Sequence, residues 1–135
     1  MKAGIAFEKV PDDLNDVSRA IVDAALKVHK ALGPGLLEST YRLCLAHELK
    51  LRGYSVQQEL PVPVKFEGLT LDAGYRLDLL VACEVIVELK AVEEICALHR
   101  AQLLSYLKHS GKRLGLLINF NTVLIRDGIV RVING

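Results

Sequence analysis

The stretch VIVELKAV, at residues 85–92, has the pattern of a strand in the centre of a sheet, yet it contains two charged residues. Its valines and leucine alternate as they do on the apolar face of a strand. Glu88 and Lys90 are two residues apart, so their side chains share the opposite face. An isolated E-x-K of this kind is typical of a solvated strand face or a simple ion pair, and a functional site is the other interpretation.

The preceding stretch GYRLDLLV, at residues 74–81, alternates in the same way. One face is predicted to carry Tyr75, Leu77, Leu79 and Val81. Arg76 and Asp78 are predicted on the other face. If the two stretches form a hairpin, Asp78 lies opposite Glu88 only when the connection has an odd number of residues, such as 82–84, or contains a bulge. A two-residue loop would place the two carboxylates on opposite faces.

Two neighbouring carboxylates repel each other unless a positive charge lies between them. Mg²⁺ prefers oxygen ligands and is commonly held by one or two carboxylates. Lys90 beside such a cation would orient a water molecule or stabilise developing negative charge. The combination predicts metal-assisted hydrolysis of phosphodiester bonds, with Mg²⁺ or Mn²⁺ as the cofactor.

Two helices are predicted before the first strand. Apolar residues at helical spacing predict a helix over 12–32, with Asp12 or Asp13 as its N-cap. The GPG stretch at 33–35 ends this helix. A second helix is predicted from about Leu36 to Leu51, with Gly53 as its C-terminal glycine.

The rest of the chain is predicted to form five strands and a third helix. The strands are expected at 54–66, 69–81, 84–92, 113–120 and 123–133, the last with a turn at Asp127-Gly128, and the helix at 96–110. Pro61 and Pro63 place the first strand at a sheet edge or a bend. The order α-α-β-β-β-α-β-β predicts a single α/β domain over 1–135, with a central mixed sheet flanked by helices.

Further polar residues lie on the predicted helices. Glu38 falls in the first turn of the second helix, where an acid is also explained by the helix dipole. Gln102 and Tyr106 share one face of the third helix at i and i+4, and His99 extends that stripe. Taken alone, this stripe is better explained as a solvated helix face.

Together these features resemble a known set of motifs. GPGLLESTY (33–41), GYRLDLLV, VIVELKAV, AQLLSYL (101–107) and GLLINF (115–120) occur in one order. This set resembles the PD-(D/E)XK nuclease superfamily in its RecB-type arrangement, and most closely the GxxExxY proteins within it. The resemblance runs from about Val28 to the C-terminus. Leu77 stands where the superfamily motif has a proline before its aspartate.

The resemblance implies a restriction-endonuclease-like fold and a metal-dependent nuclease. Asp78 and Glu88 would hold the metal, Glu38 would complete the acidic site, and Lys90 would assist the attacking water. The residues expected to act in catalysis are Glu38, Asp78, Glu88, Lys90 and Gln102. The residues expected to contact nucleic acid, DNA being favoured over RNA, are Tyr41, Arg76, His99 and Tyr106.

Composition limits the other possibilities. The formal net charge of +1 argues against a protein that coats nucleic acid by charge alone. Three scattered cysteines without a C-x-x-C pair argue against a zinc site or a disulfide framework. No long apolar run predicts a membrane helix, and the N-terminus lacks the pattern of a secretory signal, so a cytoplasmic location is expected. A hydrophobic content of 51% predicts a homodimer.

Whether the site is catalytically active stays open at this point. The domain would alternatively bind nucleic acid or a protein without cleaving it and retain the polar cluster. A structural subunit of a larger complex is a third interpretation. The near-neutral charge is compatible with all three.

Overall fold

A computed structural model describes residues 11–135 of the chain. The prediction about a secretory signal concerns mainly residues 1–10, which lie outside the described residues. The helices are α1 (Asp12–Leu32), α2 (Glu38–Leu51) and α3 (Ala97–Ser110), and the strands are β1 (Val56–Phe66), β2 (Leu69–Val81), β3 (Val85–Lys90), β4 (Leu114–Asn119) and β5 (Ile129–Ile133). A 3₁₀ helix over Ile125–Gly128 precedes β5. Within these residues, none of the helices is both long and apolar enough to span a bilayer.

The five strands form one sheet in the order β1-β2-β3-β4-β5. β3 and β4 are parallel, as a crossover through α3 requires, and the other neighbours are antiparallel. This arrangement confirms the predicted mixed sheet and its element order. Pro61 and Pro63 lie in β1 at one edge, where a missing N–H costs no ladder hydrogen bond.

The connection between β2 and β3 contains three residues, 82–84. Val81 pairs with Val85, and Leu79 pairs with Val87. Ala82 and Cys83 both have positive φ, at 54° and 59°, which lets the chain reverse within this short span. The predicted odd connection is therefore confirmed.

The sheet is covered on both faces by helices. α1 and α2 pack on one face against Leu79, Val81 and the odd-numbered residues of β3, whereas α3 packs on the other against Leu80 and Ile86. These two apolar layers place β3 in the centre of the protein, with five of its six residues buried.

The prediction that Tyr75, Leu77, Leu79 and Val81 share one face is wrong for two of them. Tyr75 and Leu77 pack with α3, on the opposite side from Leu79. The backbone changes direction between these groups, where Glu59 of β1 has a φ of 49° and the Glu59–Asp78 pair is missing from the ladder. Beyond this point the β1–β2 pair is a two-stranded ribbon, which twists more strongly than a full sheet.

Three boundaries differ from the predictions. Asp12 and Asp13 lie inside the first turn of α1, whose N-cap is Pro11, so neither caps the helix. α2 begins at Glu38 rather than near Leu36. The last strand begins at Ile129, because the residues predicted as its first part include the 3₁₀ helix Ile125–Gly128. Gly128 packs too closely on the Asn119 carbonyl for a Cβ atom to fit.

Candidate active site

Asp78 and Glu88 meet where β2 and β3 separate. The backbone ladder between the strands ends at the pair Leu79–Val87. Asp78 and Glu88 are the next residues beyond this pair, one on each strand. The Asp78 N–H donates to Glu88 Oε2 at 2.9 Å, and the Leu89 N–H donates to Asp78 Oδ2 at 2.8 Å. Side-chain oxygens therefore replace the backbone acceptors of the ladder and fix both carboxylates in one gap.

This gap is poorly solvated, and it raises the pKa of both acids. Burial, reinforced by the neighbouring Asp78, raises the pKa of Glu88 to about 8. Burial also raises the pKa of Asp78. Hydrogen bonds from backbone N–H groups oppose these changes but do not cancel them. Without additional positive charge, the pair holds a proton more tightly than free carboxyl groups do.

Glu38 approaches the pair from the start of α2. Burial and the charge of Asp78 raise its pKa, whereas Lys90 and a hydrogen bond from the Ala91 N–H lower it. Among residues 11–135, however, no group of three or more His, Cys, Asp and Glu side chains is close enough to form a metal cage. The three carboxylates of the predicted metal set are therefore not grouped closely enough to form such a cage in this structure.

Lys90 ends β3 beside this cluster. Its side chain is half-buried, and its positive charge lowers the pKa of Glu38, Asp78 and Glu88. Within the described part of the chain it makes no ion pair within 4.0 Å. The ammonium group therefore lies near the carboxylates without forming a close ion pair with any one of them.

Tyr106 reaches the site from α3. Its ring stacks on Tyr75 with centroids 4.2 Å apart and 7° between the planes, and its backbone carbonyl accepts a hydrogen bond from the Tyr75 hydroxyl. Burial, followed by the charge of Glu88, raises the pKa of Tyr106. Burial and the neighbouring Tyr106 raise the pKa of Tyr75 to about 12. Both phenols are thus neutral donors next to Glu88.

Comparison with family models shows which superfamily the chain belongs to. A model of the PD-(D/E)XK nuclease superfamily matches residues 15–132, which is most of the chain. The chain belongs to the PD-(D/E)XK nuclease superfamily. Comparison with curated proteins and with solved structures found no match.

PD-(D/E)XK nucleases generally use divalent metals, and the donor set of this site fits one. Asp78 and Glu88 provide two hard carboxylate groups in one gap, and each uses a single oxygen for a backbone hydrogen bond. Burial raises the pKa of both acids, so a bound cation would favour their charged forms. Two carboxylates are a common protein contribution to a Mg²⁺ site, in which water completes the coordination.

Other residues predicted for this nuclease site occupy different positions. Gln102 is exposed, one turn before Tyr106, and its side chain makes no hydrogen bond within the part of the chain that the structure describes. His99 accepts a hydrogen bond from the Cys96 N–H at 3.1 Å and so helps to begin α3. Arg76 is exposed on β2 opposite Pro61.

Tyr41 does not fit its predicted contact with nucleic acid. Its side chain is fully buried and stacks on Phe120 at 4.5 Å. Its hydroxyl donates to the Gly33 carbonyl and accepts from the Leu36 N–H at 3.0 Å. Because its ring and its hydroxyl both have partners inside the protein, Tyr41 stabilises the loop that precedes Glu38 and is not free to contact a ligand.

A cavity of about 420 Å³ opens beside the carboxylates, and two of its residues were missed from the sequence. It is lined by Leu37, Glu38, Ser39, Arg42, Glu59, Asp78 and Leu89. Arg42 lies four residues after Glu38 on α2, a spacing that places both on one helix face and was an available signal. Glu59 had no such signal, because its position depends on the twist of β1 against β2.

Asn119 is a third residue that the sequence did not single out. It is buried at the end of β4, next to Lys90 in the parallel ladder. Its side chain donates to the Val92 carbonyl at 2.9 Å and accepts from the N–H groups of Val92 and Asn121, both at 3.1 Å. Asn119 therefore fixes the segment that follows the E-x-K motif and carries the Ala91 N–H.

Proposed function

We propose that the protein is a metal-dependent nuclease of the GxxExxY type that hydrolyses phosphodiester bonds in DNA in preference to RNA. The observation that supports this most directly is the pair of hydrogen bonds between Asp78 and β3, which hold two buried carboxylates in one gap. A buried pair with raised pKa values is costly in a purely structural role and suits a cation site. The superfamily match adds independent support.

Each group has a role in this proposal. Asp78 and Glu88 would hold Mg²⁺ or Mn²⁺, which, when bound, neutralises charge that develops on the phosphate. Lys90 orients the attacking water and donates hydrogen bonds to the developing negative charge. Glu38 accepts a proton from water at the α2 side of the site. Tyr106 donates to the substrate from α3, and Gln102 and His99 contact the strand that passes along this helix.

The test is cleavage by purified protein. Labelled DNA and RNA, single- and double-stranded, are incubated with Mg²⁺, with Mn²⁺ and with EDTA. Wild type should cleave only with metal, whereas Asp78→Asn and Lys90→Met should lose at least about a hundredfold of that activity. Asp16→Asn and Lys30→Met, at exposed positions of α1, are the matched controls. Cleavage that survives EDTA or Asp78→Asn would show that the site is assigned wrongly.

A binding module that retains the fold is the second candidate. It is favoured by the tightly satisfied hydrogen bonds of Asp78 and Glu88, which hold the pair together without any cation. Nucleic acid or protein binding without cleavage, under every metal condition above, would support this candidate. Inactivity or insolubility without a partner would support the third interpretation, a subunit of a larger complex.

We also propose that the protein acts as a cytoplasmic homodimer. The far end of the β1–β2 ribbon exposes Phe66, Leu69 and Leu71, each with half or more of its side chain accessible. Such apolar side chains on a strand pair favour self-association. Sedimentation at increasing concentration should show a dimer that Phe66→Ser with Leu71→Ser disrupts. A monomer at high micromolar concentration would contradict the proposal.

A further inference from the structure

The cavity beside the carboxylates has one positively charged residue in its lining. Glu38, Glu59 and Asp78 contribute acids, and Arg42 contributes the cation. The Arg42 side chain is 17% exposed, so it is largely enclosed yet still reaches the opening. Its charge lowers the pKa of Glu38 and of Asp78, which places it within electrostatic range of the catalytic centre.

The guanidinium group of Arg42 is only loosely held. Nη1 donates to Gln58 Oε1 at 3.2 Å and lies 3.9 Å from Glu59 Oε2. By contrast, Arg52 at the other end of the same helix makes two close ion pairs, 2.7 Å to Asp23 and 2.8 Å to Glu48. An arginine has five N–H donors. Most of those on Arg42 have no acceptor among residues 11–135 and remain available to a ligand.

We propose that Arg42 binds a backbone phosphate of the nucleic acid next to the scissile phosphodiester, and that Glu59 competes with this phosphate in the free protein. The proposal rests on the nuclease function above and adds a substrate-binding residue to it. A guanidinium fork matches the geometry of a phosphate and binds it through two parallel hydrogen bonds. The acids of the cavity repel a phosphate, so a cation is needed at this position to bring the strand close to Asp78.

A simpler role for Arg42 is to balance the charge of Glu59. The two roles differ in a measurable way. A phosphate contact releases condensed counterions, so its loss reduces the slope of log affinity against log salt by about 0.7–0.9. Loss of a counter-charge inside the protein releases none and leaves this slope unchanged.

The experiment measures anisotropy of a fluorescein-labelled DNA duplex and single strand over a salt series in EDTA. Glu88→Gln is the background, because glutamine has the shape of the protonated carboxyl group and prevents cleavage. Adding Arg42→Gln should weaken binding about tenfold. It should also reduce the slope of log affinity against log salt by about 0.7–0.9, the value for one phosphate contact, and Arg42→Lys should recover part of both losses. Arg52→Gln is the matched control and should change neither quantity. Thermal melts verify that each variant is folded.

Glu59→Gln separates the two roles further. It should tighten binding about twofold to threefold by removing the competing acid. In that background, Arg42→Gln should still cost about tenfold, whereas the charge-balance role predicts that the cost largely disappears. An unchanged salt slope in Arg42→Gln would overturn this inference and leave the nuclease proposal standing. Absence of any binding by the Glu88→Gln background would also overturn this inference, whereas the nuclease proposal is decided by the cleavage assay with metal.

Discussion

The backbone N–H of Asp78 donates to Oε2 of Glu88 at the position where the ladder between β2 and β3 would otherwise continue. The two carboxylates thus accept hydrogen bonds that backbone carbonyl groups accept elsewhere in the ladder. The acceptor that Glu88 provides is a single oxygen, which an amide also has. Replacing the carboxylate by glutamine therefore keeps the hydrogen bond and removes the charge.

This relationship gives a prediction for Glu88→Gln. Without metal, the variant should melt at the same temperature as wild type or higher, because folded wild type must hold a proton on Glu88 that the unfolded chain releases, and glutamine avoids this cost. Mn²⁺ should raise the melting temperature of wild type by about 10 °C at a hundredfold excess over its dissociation constant. Glu88→Gln should lose most of this response, whereas Glu84→Gln, in the exposed β2–β3 connection, should keep it. If wild type ignores Mn²⁺ and Glu88→Gln melts several degrees lower in both conditions, the pair is structural.

The raised pKa of Glu88 predicts a pH dependence of stability in the metal-free protein. The folded state holds this proton up to about pH 8, whereas the unfolded chain releases it near the ordinary glutamate pKa of 4.5. The stabilisation is therefore complete below that lower value and is lost as pH rises towards 8. The free energy of unfolding should fall by up to about 1.4 kcal/mol per pH unit in this window.

Urea denaturation in EDTA between about pH 5.5 and 8.5 tests this. The difference between wild type and Glu88→Gln isolates Glu88 from the histidines, which titrate in both proteins. The raised pKa values of Asp78 and Glu38 act in the same direction at the acidic end. Parallel curves for the two proteins would refute the assignment.

Asn119→Ala should destabilise the protein by about 2–4 kcal/mol. The substitution leaves the Val92 N–H without its acceptor and the Val92 carbonyl with only the longer bond from Asn121, in a partly buried segment. It should also lower nuclease activity, because that segment carries the backbone contact of Glu38. Asn121→Ala is the control: its side chain is exposed and makes one contact, 3.3 Å to Val92 O, so it should cost less than about 1 kcal/mol. Equal losses from both substitutions would contradict the proposed role.

Gly115→Ala should overpack the layer between β4 and α3. A Cβ atom at Gly115 would lie 2.9 Å from Cδ1 of Leu103, which is closer than carbon atoms pack. The expected cost is about 1–3 kcal/mol in chemical denaturation. Leu103→Ala opens space at the same point, so the double variant should be less destabilised than the sum of the two single variants. Additive effects would show that the two residues do not compete for space.

Much of the fold could be predicted from local pattern. The bounds of α1 and β2 and the edge position of β1 follow from periodicity and from proline positions, because each depends on residues that are neighbours in sequence. Alternation gave the condition under which Asp78 faces Glu88, an odd number of residues in the connection, and the structure shows that this condition is met. These inferences need only the alternation of side chains in a strand.

The rest of the site depends on contacts between distant segments. Leu77 and Leu79 lie on opposite faces because the ribbon twists where the Glu59–Asp78 pair is missing from the ladder. The alternation of residues in the sequence carries no signal for such a twist. The motif predicted that Tyr41 contacts nucleic acid, but its side chain is buried and stacks on Phe120, which is far away in the sequence. The sequence places Arg42 on the same helix face as Glu38, but its position in the cavity depends on how α2 packs against β1.

The three-residue connection between β2 and β3 also has a consequence for how this protein can evolve. The same register that places Asp78 opposite Glu88 places Leu79 opposite Val87, and those two apolar residues belong to the core. Losing one codon here would reverse the facing of β3 and expose the core. Descendants that abandon the chemistry should therefore do so by replacing Asp78 or Glu88, and should keep this connection at constant length. A set of homologous sequences should show an invariant spacing here even in lineages whose acids have been lost, while Ala82 and Cys83 vary among residues that accept positive φ.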